Sequence, residues 1–364
     1  MSGGEYSTEA ILKGHTSSIV ALEFSPDGKF LASGAKNGVV LIFSTSSWVS
    51  LGNFIDASPI SVVKCGDFFL VDAILPLITT VQERIVVGTS TFNGPIRSMS
   101  IFPASRRAAI AYGSEIVLTK VLFNPPQLSD ERKPLPKPPS ASQFSTKLSE
   151  PIATSLHFFG NKDHLLVTYA THGIIHWDTS SMTVVRSITP RTCTIGRSVV
   201  NRENTILAVP NLIDGVDWYS LSKYTFISTT KPLYAQKLSD SSTPTFLEGD
   251  KMIVGGTNGE AHIFGPENLF GSLGHTGAED ILSTSFASNV RGRKFIAIGA
   301  AGFPGAAGIT IWSAVSRRKY IRPFAMFKDA IPTTLAWNQI LVLTTLLLLS
   351  SAWVVHLIGE LMPI

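Results

Sequence analysis

The chain has 364 residues, 30 basic against 26 acidic, for a formal net charge of +4 with histidine neutral. Hydrophobic residues make up 44% and charged ones only 15%, where soluble domains average about 25% charged. Disorder as the dominant state is excluded, two cysteines are too few for a disulfide framework or a four-thiolate zinc site, and the small, dispersed charge does not announce a nucleic-acid binder.

The N-terminus has no basic region followed by an apolar stretch, so no signal peptide is expected. Glu9-Ala-Ile-Leu12 reads as a strand with no partner of its own nearby. Gly14-His15 is followed by Ile19-Val-Ala-Leu-Glu-Phe24, an Asp27-Gly28 turn, Phe30-Leu-Ala-Ser-Gly34, an Asn37-Gly38 turn and Val39-Val-Leu-Ile-Phe43. That is strand, turn, strand, turn, strand; in an Asn-Gly hairpin both central residues take positive φ. Cys65 to Leu70 and Arg84 to Gly88 are also strands, in an order the sequence leaves unclear.

The pattern recurs at Ile96–Pro103, Ala108–Gly113 and Glu115–Leu118. Between Asn124 and Pro151 seven prolines mark an insertion, extended and polar. Within it, Lys133, Pro136 and Pro139 fit a basic residue followed by two prolines three apart, the spacing that docks in aromatic grooves of SH3-type modules. The repeat returns at Ile152–Phe158, Leu165–Tyr169 and Gly173–Asp178, and further copies end at Trp218, Phe264 and Trp312. No long helical period precedes the tail, so the class is all-β.

The tail differs. From 330 to 359 there are thirty consecutive residues without a formal charge, and 335–358 supply 24 predominantly apolar ones. A bilayer core of about 30 Å needs roughly 20 helical residues, and Leu346 to Leu349 make a full turn apolar all round. Trp337 and Trp353 fall where an indole sits at the headgroup level. Residues 335–358 are therefore predicted to be a transmembrane helix, after a basic linker (321–334) and before a short translocated tail (359–364). The flank Arg317–Lys328 carries five basic residues and no acid, which places the preceding residues in the cytosol and favours apposition to anionic lipid. This is the arrangement of a tail-anchored protein. With one acid and no base after the span, the endoplasmic reticulum is expected over the mitochondrial outer membrane.

At its Gly-His and Trp-Asp marks the chain resembles the WD-repeat family of β-propellers. Gly14-His15 and Gly274-His275 match the first mark and Trp177-Asp178 the second, with Phe43, Trp218, Phe264 and Trp312 holding the aromatic place. The resemblance implies a buried bonded set within a blade, of which the first repeat offers His15, Ser33, Asn37 and Phe43. At about 40–45 residues per blade, residues 1–320 imply a seven-bladed β-propeller with one insertion, 124–151. Boundaries fall near 14–54, 55–93, 94–150, 151–190, 191–230, 231–275 and 276–320. Glu9–Leu12 is expected to complete the last blade and seal the ring, followed by the C-terminal transmembrane α-helix.

No phosphate loop and no nucleophile elbow occur. Gly299–Gly308 reads as a tight or bulged connection between strands, with no helix to follow it. His172 and His176, four apart, would lie on one strand face about 13 Å from each other, too far for one ion; His157 and His164 flank a hairpin turn and are expected to be solvated. Cys65 and Cys193 are expected to be ordinary thiols, and His356 falls inside the span. Hence no catalytic residue, cofactor, metal or small-molecule substrate is expected. The reading is a membrane-anchored, cytosol-facing scaffold for other proteins. An alternative comes from similarity to the endoplasmic-reticulum exchange factors for the Sar-type GTPase, which share a propeller and a C-terminal span. In that family a glycine-rich loop with a Lys and an Asn carries exchange activity, and only Lys36 and Asn37 correspond. A protruding loop at 33–38 would favour exchange; a tight hairpin would not.

Overall fold

A computed structural model describes residues 6–315 apart from 56–59, 61–62, 66–68, 72–76, 80–85, 90–91, 93, 103–104, 124–125, 140–149, 161–163, 233–237, 240–241, 276–279, 291 and 302–306. Strand β1 (Ser7–Leu12) precedes a sheet of β2 (Ile19–Phe24), β3 (Phe30–Ala35), β4 (Val39–Ser44) and β5 (Ser50–Ile55). A small sheet follows, with β6 (Val63–Cys65), β7 (Phe69–Val71), β8 (Leu77–Thr79) and β9 (Val86–Thr89). The next comprises β10 (Ile96–Phe102), β11 (Arg107–Tyr112), β12 (Glu115–Phe123), β13 (Pro126–Leu128) and β14 (Lys133–Pro134). Then come β15 (Ala153–Phe159), β16 (His164–Tyr169), β17 (Gly173–Asp178) and β18 (Thr183–Ile188), and β19 (Val199–Val200), β20 (Ile206–Pro210), β21 (Val216–Ser220) and β22 (Thr225–Thr230). The last two sheets hold β23 (Thr245–Phe246), β24 (Met252–Gly255), β25 (Glu260–Phe264) and β26 (Leu269–Gly274), then β27 (Ile281–Val290), β28 (Arg293–Ala300) and β29 (Ile309–Val315).

Each sheet is an antiparallel meander, and the larger ones are the blades of a β-propeller. The sequence expectation of seven blades is corrected to six complete ones among the described residues. Among the described residues of 55–93 the chain forms the small sheet β6–β9, of three- and four-residue strands, whose inner strand touches β2 and β10. Its apolar runs are cut short in the sequence by Pro76, which cannot donate to a ladder, and by Gln82-Glu-Arg84. Among the described residues no α-helix occurs, and none there is long and apolar enough to cross a membrane. Residues 335–358, with Trp337, Leu346, Leu349 and Trp353, lie outside the described residues, as does His356.

Closure follows the sequence expectation. β1 pairs antiparallel with β29, Ser7 opposite Ser313 and Leu12 opposite Ile309, so the N-terminal strand is the outer strand of the last blade. Glu9 fixes it further: Arg293 donates to both carboxylate oxygens and Ser313 to one. The Arg293 guanidinium holds the Glu9 carboxyl below its ordinary value. An otherwise open sheet edge is thereby removed.

Burial runs radially. Second and third strands such as Val39–Ser44 and His164–Tyr169 are buried nearly throughout, whereas outer strands such as Thr183–Ile188 are mostly exposed. A strand covered on both faces by neighbouring blades reads as a continuous apolar run, which explains Val-Val-Leu-Ile-Phe at 39–43. The cores accordingly lie between blades. Leu22, Phe24, Leu31 and Phe43 of the first sheet pack with Val290, Phe295 and Ile311 of the last. Gly28 sits at this contact with φ +68°, and a Cβ there would stand 2.3 Å from Val290 Cγ2.

The Pro-rich insertion is partly structure. β13 and β14 both pair with β12, and Leu135 is buried in the core shared with β15–β17. The insertion thus supplies the outer edge of its own blade.

Deleting residues 1–12 removes one complete strand pairing. At about 1 kcal/mol per hydrogen bond lost, a cost of about 3 kcal/mol or more is expected, lowering Tm by about 10 °C. An unchanged melting temperature would contradict closure by β1.

Candidate functional site: the central channel

Four of the inner strands share one local design. β2, β10, β15 and β27 each bulge after their first residue, at Ile19, Ile96, Ala153 and Ile281. The bulge puts Ala21, Ser98, Ser155 and Ser283 in equivalent places, and two residues on come Glu23, Ser100, His157 and Ser285. An inner strand has no partner on its axial side, so its backbone groups need other bonds. Side chains of the preceding inner strand supply them. Leu156 and Phe158 donate their amides to Ser98 Oγ at 3.1 Å and Ser100 Oγ at 3.0 Å. Ser198 donates to Ser155 Oγ at 2.9 Å, and Phe24 to Ser285 Oγ at 3.1 Å. Carbonyls are capped too: His157 Nε2 donates to Ser198 O at 2.9 Å, Ser283 to Ile19 O, Thr284 to Thr243 O and Thr245 to Thr284 O.

These strands enclose a channel of about 450 Å³. Where other inner strands carry serine, Glu23 and His157 bring ionisable groups. Lys64 lies 3.4 Å from Glu23, yet burial outweighs this cation and raises the Glu23 carboxyl above its ordinary value. Burial, with help from Lys64, pushes His157 down to about 4 against the opposing bond to Ser198. Arg197 reaches Thr243 of the next blade at 3.5 Å, and Arg202 lines the same cavity from the turn after β19. Away from the channel, Arg191 links Asp214 and the buried Asp217, and Lys231 adds a second cation to Asp214.

The residues singled out from sequence lie elsewhere. Lys36 and Asn37 are exposed in a short hairpin in which Gly38 N–H bonds Ala35 O at 3.1 Å. Lys36 N–H is tied to Ser18 O and the Asn37 amide to Thr16 Oγ1, so no loop protrudes. Of the turn residues only Gly38 has positive φ, +82°; the geometry expected at 37–38 occurs instead at Asn258-Gly259, with +73° and +71°. Lys133, Pro136 and Pro139 are exposed on either side of buried Leu135. His15 bonds Ser33 at 2.7 Å within its blade, whereas Asn37 does not join them.

The histidines differ from expectation. His157 is bonded across blades rather than solvated, and His164 is half-buried, its ring 4.7 Å from that of His176. His172 occupies the turn before β17, on a different element from His176. Among the described residues no three metal-binding side chains come together. Cys193 is a free, exposed thiol, and the Cys65 side chain lies outside the described residues.

An unfolded histidine titrates near 6.5, but burial holds His15, His157 and His176 near 4 in the fold. As pH falls through this window the unfolded chain takes up protons first, so stability is lost. Tm should fall between pH 6.5 and 5, above the range where the lowered carboxyls of Glu9 and Asp214 protonate. His157→Gln, which keeps a donor for Ser198, should flatten part of that fall. A flat wild-type profile would contradict neutral burial.

Residues 6–44 match the family model "WD domain, G-beta repeat". No curated protein sequence matches the chain. Among solved structures, the β-propeller domain of Cps50 (Swd1) from Myceliophteria thermophila is similar in fold. It shares 16% identity, with a TM-score of 0.68 over 84% of this chain and 99% of that one. The chain thus carries a WD40 repeat at residues 6–44 as the opening of a β-propeller.

Proposed function

We propose that the chain is a docking platform for other proteins, held at a membrane by residues 335–358 with its propeller in the cytosol. The observation that carries the platform reading is the closed ring itself. Bonds between blades fix the inner strands while connecting turns remain at both ends, and WD40 propellers generally bind other proteins. Lys133, Pro136 and Pro139 belong to the platform as an exposed docking ridge for an aromatic groove. Membrane attachment rests on the uncharged stretch 330–359 and the basic flank Arg317–Lys328. The endoplasmic reticulum is favoured because no base follows the span. Lys36 and Asn37 in a tied-down hairpin give no support to nucleotide exchange.

Proximity labelling with the full chain tests the platform: a recurrent set of cytosolic partners is expected, and a set no different from a free labelling enzyme would overturn it. Removal of residues 330–364 is expected to release the protein from sedimenting membranes. A truncated protein that still sediments after a salt wash would remove the anchor assignment.

A further inference from the structure

The segment Lys133-Pro-Leu-Pro-Lys-Pro-Pro139 has little backbone freedom. Each of its seven residues is a proline or stands directly before one. Proline fixes its own φ near −65°, and the residue ahead of it is pushed to extended or polyproline II torsions. A polyproline II helix repeats every three residues, and burial here follows that period. Leu135 is buried and Pro138 half-buried, while Lys133, Pro134, Pro136, Lys137 and Pro139 are exposed. The inward column is fastened. Leu135 N–H bonds Ile116 O at 2.8 Å, its side chain joins the core that includes Ile116 and Leu118, and Lys133 and Pro134 pair with β12.

The outward side offers little to an added strand. Pro134, Pro136, Pro138 and Pro139 carry no amide proton, and that of Leu135 is given to Ile116. A partner is left to read proline rings and lysine side chains. Charge gives the ridge a direction. Lys133 and Lys137 are both exposed, and Lys133 meets Glu131 at 3.5 Å through two largely exposed side chains, a contact that a partner's carboxylate can replace at little cost.

Resting on the platform reading above, we infer that the folded propeller presents residues 133–139 as a ready-made polyproline ridge. Its partner is a protein module with an aromatic groove for Pro136 and Pro139 and a carboxylate for Lys133. Because the blade already holds the ridge in shape, binding avoids the ordering cost that a free peptide would meet. Leu135 is then the anchor of the ridge and not one of its contacts. A groove that had to seat Leu135 as well would favour the free peptide.

The test is titration of purified SH3-type and WW-type modules, each with an acidic groove end, with the full chain and with a synthetic peptide of residues 130–139. At least one module should bind the full chain about tenfold more tightly than the peptide. Leu135→Ala should weaken binding of the chain and leave that of the peptide unchanged. Pro136→Ala and Pro139→Ala, at exposed positions, should weaken both, and they remain informative if Leu135→Ala impairs folding. A peptide that binds as tightly as the chain, or more tightly, would overturn the ready-made ridge while leaving docking at these residues intact. No binding by either would remove the docking reading itself, as would binding that survives both proline substitutions. Lys133→Gln without effect would overturn the carboxylate.

Discussion

The axial edge of each inner strand is the constraint on which this fold depends. Four strands in a meander leave two open edges, and the inner one faces a channel too narrow for another strand. Unpaired backbone groups buried there would each cost about 1–3 kcal/mol. Serine, threonine and histidine side chains from the preceding blade answer that demand, one blade after another. The same contacts hold neighbouring blades in register, so satisfying the edge and setting blade orientation are one event.

Packing between blades follows from that arrangement. Because adjacent sheets face each other, their second and third strands are buried on both faces and the apolar clusters lie at blade junctions. Leu166 and Ile174 meet Leu207 and Tyr219 at one junction, and Trp218 meets Met252 and Phe264 at the next. A blade alone would expose both of its apolar faces, so ring closure by β1 protects every junction at once.

Strand positions were legible in the sequence because turn residues punctuate apolar runs: Ser25-Pro-Asp-Gly28 turns with Gly28 at φ +68°, as its residue types require. The role of Glu9–Leu12 was legible because a lone strand at a chain end needs a partner. The Asn37-Gly38 geometry was not, since Lys36 N–H bonds Ser18 and the turn adapts to that contact. The insertion read as loop from its prolines, yet β13 and β14 pair with β12 and Leu128 and Leu135 are buried. The residues that join the blades escaped notice for a different reason. Ser98-Met-Ser100 and Ser283-Thr-Ser285 look like ordinary polar positions on a strand, and their partners lie far along the chain, 261 residues apart for Phe24 and Ser285. The Ser-x-Ser that follows two of the four bulges was the available signal, and Glu23 and His157 stand out only against it.

Amide hydrogen exchange at Phe24, Leu156, Phe158 and Ser198 tests the central claim most directly. None of these amides bonds to a strand on the axial side; each is held by a side-chain oxygen of the preceding blade. If those bonds hold the ring together, the four should exchange slowly, at the rate of global unfolding. Exchange at the rate of unprotected backbone, with the central strands still protected, would contradict the account.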